Sequence, residues 1–141
     1  MDKQRVAVYG SLRQGMGNHV LLEGATFIGF DTLNNYGMVS LGGFPAIDEA
    51  EGSEVVVEIY HVDDHTFKRL DRLEGTDPSK PIDNPDNFYS RREVTMSSGT
   101  TAWVYYIPGV FNEQYTDGMI ESGDWCKYCG VSNDRRSEMC G

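Results

Sequence analysis

The feature that most constrains the fold is a recurrence of short runs in which β-branched and aromatic residues alternate with polar ones. They are "RVAVY", "ATFIGFDTL", "YGMVSL", "SEVVVEIYHV", "FYSRREVTM" and "TTAWVYYI", with Gly, Asn and Pro punctuating the gaps. A period of two places successive side chains on opposite faces of a strand, so the chain reads as mainly β. The runs Phe88–Met96 and Thr100–Ile107 have hairpin spacing across "SSG", where Gly99 can take the left-handed position of a short loop. One segment reads clearly as a helix, "DDHTFKRLDRLEG". Asp63 or Asp64 is its N-cap, Gly75 its C′ residue, and Phe67, Leu70 and Leu73 its apolar positions. The run "GTDPSKPIDNPDN" that follows is too polar and too rich in proline for either element and reads as a loop or lid. No internal repeat or low-complexity tract interrupts the 141 residues, which fit a single domain large enough for a real core.

Charge and cysteine usage narrow the class of partner. A net charge of −10 makes a phosphate backbone a poor partner, since nucleic-acid binding needs clustered Lys and Arg, so no nucleic-acid role is expected. With 39% hydrophobic and 11% aromatic residues the chain is not of disordered composition. No apolar run approaches the ~20 residues of a membrane span. "MDKQRVAVYG" puts Gly where the apolar core of a signal peptide would continue, and the three cysteines, all late in the chain, make an odd number. These features predict a soluble protein of the cytoplasm without a membrane partner.

The stretch "RVAVYGSLRQGMGNHVLL" raises the question of what its glycines hold. Read as a P-loop on Gly10 and Gly15, it has Met16 in place of the phosphate-binding Lys and Gly17 in place of the magnesium-binding hydroxyl. Read as a dinucleotide fingerprint from Gly15, it has Val20 where the third glycine belongs. Two readings remain open. Gly10, free to take positive φ, could turn backbone N–H groups toward a carboxylate or oxyanion, or the segment is a plain tight turn.

A carboxylate draws attention on the helix. Phe67, Leu70 and Glu74 stand at i, i+3 and i+7, so a helix that buries the first two turns Glu74 to the same face. Desolvation and the negative end of the helix dipole would both raise its pKa, as suits general acid/base work near neutrality; the other reading lets Glu74 rotate out at a frayed end. Asp71 and Arg72 on the flanks read as solvated. On the late strand Trp103 and Tyr105 share one face and Val104 and Tyr106 the other, Tyr89 and Arg91 read as a packed aromatic beside a surface base, and His19, His61 and His65 show no triad pattern.

Taken together in order, "VYGSL", "GNHVLL", "GFPAI", "LDRLEG", "FYSRREV", "AWVYYIPG" and "SGDW" resemble the γ-glutamylcyclotransferase-like family, in the style of its γ-glutamylaminecyclotransferase and bacterial branch. The resemblance covers residues 5 to about 125 and sets the expected domain at 1–125, with 126–141 as a Cys-containing tail. It implies an α+β fold, a small mixed β-barrel flanked by helices. It also implies a small γ-glutamyl substrate whose α-carboxylate end is bound by the loop Tyr9, Gly10, Ser11 and Leu12, with Tyr105 at the pocket and Glu74 as acid/base. The implied reaction is attack of the substrate's own α-amine on its γ-carbonyl, which releases an amine and 5-oxoproline and requires no cofactor. A non-catalytic member binding a small acidic ligand or a protein partner is the alternative.

The tail and the Pro-rich loop depart from the family pattern. "WCKYC" has the form of a thioredoxin-type motif but lacks the following helix and sheet, so redox catalysis is not expected. "CKYCG" with Cys140 would give a zinc ribbon three thiolates and leave its fourth ligand unassigned, so no metal site is assigned.

Overall fold

The computed structural model describes residues 4–10, 12–14, 16, 19–22, 24–41, 44–76, 88–110 and 119–129. Five strands, β1 (Gln4–Val8), β2 (Thr26–Ser40), β3 (Pro45–Val62), β4 (Ser90–Thr95) and β5 (Thr101–Tyr106), form one mixed sheet in the order β2-β3-β1-β5-β4. Only β1 and β5 run parallel; the other neighbours are antiparallel. A 3-10 turn at His19–Leu22, a helix α1 (Asp64–Glu74) and a short helix α2 (Trp125–Tyr128) complete the described elements. None of the described helices is long and apolar enough to cross a membrane.

Several expectations translate directly into elements. Asp63 caps α1 by accepting from the Thr66 amide at 2.8 Å, and Gly75 ends it with φ 67°. The β4–β5 hairpin turns at Gly99 with φ 93°, the Met96 amide donating to the Thr100 carbonyl at 2.8 Å. Two runs read as separate strands are one: β2 continues through Asn35, which takes φ 64° at a register shift and accepts from the Gly52 amide. On β3 the acidic run "DEAEGSE" sits across from that irregularity, so its polar side chains interrupt the apolar alternation without ending the strand.

The alternation sorts the core into two layers. Ala7, Leu33, Ile47, Val55, Val57, Ile59, Val104 and Tyr106 point into the concave side with Trp125 and Cys126 of α2. On the convex side Val6, Val8, Tyr60, Val62 and Tyr105 pack with Leu22 and with Phe67 and Leu70 of α1. The expected α+β fold with a mixed sheet is what the structure shows, and barrel describes it only loosely, since the sheet is open. Strands β2 and β4 are the ends of the ladder, and what joins them is not a ladder. The Ser97 amide donates to the Thr32 carbonyl at 2.8 Å, and Arg92 reaches from β4 to Glu49 at 2.7 Å and to the Tyr36 hydroxyl at 3.1 Å.

The segment after β1 is held by an ion pair inside the protein. Arg13 Nε donates to Glu58 Oε2 at 2.8 Å, and the two side chains keep 2% and 0% of their surface exposed. The same carboxylate accepts from the Gln14 amide at 2.9 Å and from the Tyr60 hydroxyl at 3.0 Å, while Arg13 also donates to Asp124 at 2.7 Å. Asp124 in turn caps α2. Burial alone would raise its carboxyl, but the hydrogen bond and charge of Arg13 and backbone amides outweigh that and hold it below the usual carboxylate range. Gly123, at φ 64°, lies so close to β3 that a Cβ there would overlap the Glu54 carbonyl oxygen, while its own carbonyl accepts from the Val56 amide at 2.8 Å.

Replacing Glu58 leaves the buried Arg13 charge with only the partly exposed Asp124 as its partner, so Glu58→Gln is expected to cost about 3 kcal/mol of stability. Urea denaturation measures it, and a loss below about 1 kcal/mol would mean that the pair does not hold the segment.

Candidate functional site

The C-terminal end of α1 is where the motifs meet. Gly75 in the left-handed conformation reverses the chain, with the Thr76 amide donating to the Asp71 carbonyl at 2.8 Å. The exposed backbone then captures the start of the β4 segment. The Phe88 amide donates to the Gly75 carbonyl at 2.9 Å, the Tyr89 amide to the Glu74 carbonyl at 3.1 Å, and the Thr76 hydroxyl to the Tyr89 carbonyl at 2.7 Å. Tyr89 is thus fixed across the helix end, and its hydroxyl reaches the Pro45 carbonyl at 2.7 Å.

Pro45 also explains Gly10. A Cβ on Gly10 would lie 2.8 Å from Pro45 Cγ, so the proline ring occupies the space that any side chain would need. The positive φ expected at Gly10 is a correction: the left-handed glycines are elsewhere, and the residue is required by close approach instead. The Gly10 carbonyl accepts from the Arg13 amide at 3.0 Å and the Leu12 carbonyl bonds His19 Nδ1 at 2.9 Å, while among the described residues no acceptor engages the Gly10 or Leu12 amide. The Leu12 side chain is in the convex core, which leaves only its backbone to meet a ligand, and Ser11 lies outside the described residues.

Next to Gly10, Tyr9 donates to the Tyr105 carbonyl at 2.7 Å, and the Tyr105 hydroxyl donates to Asp71 Oδ1 at 2.7 Å. Glu74 is half-buried at this point, and burial pushes its carboxyl up to about 7. Its charge registers on three phenols. Tyr9, Tyr89 and Tyr105 are all shifted up, chiefly by burial, with Glu74 adding to the shift in each, alongside Tyr89 for Tyr9 and Asp71 for Tyr105. All three therefore stay protonated at neutral pH. Each commits its proton to a fixed acceptor, so the oxygens are left as acceptors for a donor brought in from outside.

Of the residues singled out in the sequence, Tyr9, Gly10, Tyr105 and Glu74 come together here. Others were misread. Asp71 is buried beside Tyr105, with Arg91 Nε at 3.5 Å. Arg91 is largely covered, its guanidinium 3.9 Å from the Phe67 ring centroid and 4.8 Å from that of Trp103. Leu73, expected on the apolar face, is 41% exposed. The inward stripe is Phe67, Leu70 and Asp71, all buried, and the half-buried Glu74, at i, i+3, i+4 and i+7, and Leu73 falls off it. Pro45 carried no separate signal, because a proline in a β run is ordinary; Tyr89 is the packed aromatic it was read as, with nothing in the sequence to show that its hydroxyl reaches Pro45.

Cys126 is buried in the concave core and Cys129 packs against it; Cys140 and the Pro-rich residues 77–87 lie outside the described residues. Among the described residues no group of three or more His, Cys, Asp or Glu side chains could hold a metal ion.

Comparison with known proteins gives this geometry a context. The profile of the family described as "Gamma-glutamyl cyclotransferase, AIG2-like" matches residues 6–127. The chain is 32% identical over 123 residues to the "Gamma-glutamylcyclotransferase family protein YtfP" of Escherichia coli K12, covering 86% of this chain and 95% of that one. Among solved structures, protein PH0828 of Pyrococcus horikoshii superposes with a TM-score of 0.68 at 29% identity over 89% of this chain and 92% of the other. An AIG2-like protein of Mus musculus shares the fold at 22% identity, with a TM-score of 0.67 and 89% of each chain covered.

The Glu74 shift has a stability consequence. With a folded pKa near 7 against an ordinary 4.5, the native state binds more protons than the unfolded chain between those values, so stability falls as pH rises through that window. Glu74→Gln removes the dependence. Its melting temperature should match the parent near pH 4.5 and exceed it increasingly up to about pH 8. A constant difference across pH, followed by scanning calorimetry, would mean that Glu74 is solvated.

Proposed function

Because the chain belongs to the gamma-glutamyl cyclotransferase, AIG2-like family, we propose that it is an enzyme cyclising a γ-glutamyl-amine or γ-glutamyl peptide to 5-oxoproline, with Glu74 as the general acid/base. The observation that carries this reading is a half-buried carboxyl poised near neutrality, beside three phenol oxygens that can accept and next to a loop whose Gly10 and Leu12 amides engage no acceptor among the described residues. A carboxyl with a pKa close to working pH exists in both forms, which a group that first takes and then returns a proton requires.

In this scheme the backbone of Gly10, Ser11 and Leu12 holds the substrate α-carboxylate, and the α-amine lies toward Glu74 and the oxygens of Tyr9, Tyr89 and Tyr105. Glu74 removes a proton from the attacking amine as its nitrogen bonds to the γ-carbonyl carbon. The bond from that carbon to the leaving nitrogen then breaks, and Glu74 returns the proton to the departing amine. No electron or proton is gained or lost overall, and neither metal nor organic cofactor enters. Nucleophile and electrophile belong to one molecule, so holding the chain folded is itself a large share of the work. Asp71 fixes the Tyr105 hydroxyl, and Arg91 holds Asp71. An enzyme of this kind, acting on small metabolites, belongs in the cytoplasm.

Loss of general acid/base help costs about 10²–10⁴-fold, so Glu74→Gln is expected to lose that much 5-oxoproline release from a γ-glutamyl amide while remaining folded. Activity within about twofold of the parent would remove the assignment.

The loop is tested through the ligand, since any side chain on Gly10 would strike Pro45. A γ-glutamyl amide with its α-carboxylate amidated should bind at least about tenfold more weakly than the free acid, through loss of charge-assisted hydrogen bonds. Equal binding by titration calorimetry would reduce the loop to a turn.

A further inference from the structure

At the solvent side of the site two large apolar side chains stand uncovered. Phe44 is 38% exposed and Phe88 is 52% exposed. Their rings meet edge to face with centroids 5.8 Å apart, and Phe88 meets Tyr89 in the same manner at 5.1 Å. The three rings form a continuous aromatic path from solvent to the buried phenol that senses the Glu74 charge.

Both backbones are fixed by the contacts that build the site. Phe88 packs across Gly75, where a Cβ would come within 3.0 Å of Phe88 Cβ, and its amide is held by the Gly75 carbonyl. Phe44 closes a turn through its carbonyl, which accepts from the Leu41 amide at 2.9 Å, and precedes Pro45, against which Gly10 packs. The pair therefore borders the space between the Gly10 loop and Glu74 from the outside. With the α-carboxylate end on the loop and the γ-carbonyl near Glu74, the substituent on the leaving nitrogen is the part of the substrate directed to solvent. Exposed apolar surface fixed beside a site is a recognition element for apolar groups.

We propose that Phe44 and Phe88 form an apolar lip that binds the substituent of the leaving amine, so that the substrates are γ-glutamyl derivatives of bulky apolar amines. The proposal rests on the cyclisation reading and names its substrate class. Water leaves the ring faces when an alkyl or aryl substituent covers them, and a small or charged substituent gains nothing there.

The test compares γ-glutamyl benzylamide with γ-glutamyl methylamide by 5-oxoproline release, in the parent, Phe44→Ala, Phe88→Ala and the double variant. Phe30→Ala serves as a control, since Phe30 is 55% exposed on β2, opposite Glu58 of β3, and its ring meets Phe27 and neither Phe44 nor Phe88. The parent should favour the benzylamide in kcat/KM by about tenfold or more, and the double variant should bring the ratio to within about threefold of unity. A parent ratio near one, or an equal loss in Phe30→Ala, overturns the lip. Calorimetric binding of both amides to Glu74→Gln, with and without the Phe substitutions, gives a readout independent of turnover. A benzylamide preference that the Phe substitutions remove sustains the lip even if the parent releases no 5-oxoproline. Absence of that preference removes the lip even if the methylamide is turned over. If neither amide binds at millimolar concentration, the lip and the cyclisation reading fall together.

Discussion

An arginine and a glutamate enclosed together, Arg13 and Glu58, are the constraint around which the rest of the molecule is arranged. Neither charge could be left inside alone, and each is satisfied by more than the other: the Gln14 amide and Tyr60 hydroxyl complete Glu58, and Asp124 completes Arg13. The consequence is positional. The segment leaving β1 must lie against β3, which sets where Tyr9 and Gly10 stand, and the turn before α2 must lie against the same arginine. One guanidinium thus joins the first strand, the longest strand and the last described helix.

Onto that frame the site is built almost entirely from hydrogen bonds between tyrosine hydroxyls and fixed oxygens. Tyr9, Tyr89 and Tyr105 bind backbone carbonyls or Asp71, and Pro45 is wedged between Tyr89 and Gly10. This keeps the three phenols near Glu74 protonated and uncharged, and the cause of its raised pKa is burial. A general acid/base needs such an environment, since a cation nearby would keep it ionised and open water would do the same.

Much of this was legible in the chain. The caps of α1, the turn at Gly99 and the two-faced pattern of β5 follow from local rules, and the family follows from the ordered motifs. The inward placement of Glu74 was legible because Phe67 and Leu70 define a stripe that reaches it. The same stripe passes through Asp71, but a charged residue with no visible partner reads as solvated, and its partners Tyr105 and Arg91 come from strands far along the sequence. Arg13 and Glu58 were missed for the same reason: nothing near either one shows that it is enclosed. The barrel came from the family resemblance, and no signal in the chain tells that the sheet stays open, because a period of two says which faces are covered but not whether the end strands meet.

The hydrogen bonds that line the site have a temporal meaning as well. Tyr9 and Tyr105 are 96 residues apart, Tyr89 and Pro45 44, and Tyr105 and Asp71 34. Contacts of such separation are entropically costly to close and form late, after helices and hairpins that depend on near neighbours. A nascent or partly unfolded chain can hold α1 and the β4–β5 hairpin intact and still have no site, because no fragment of the sequence contains enough of it. Competence therefore arrives all at once, with the last long loop to close.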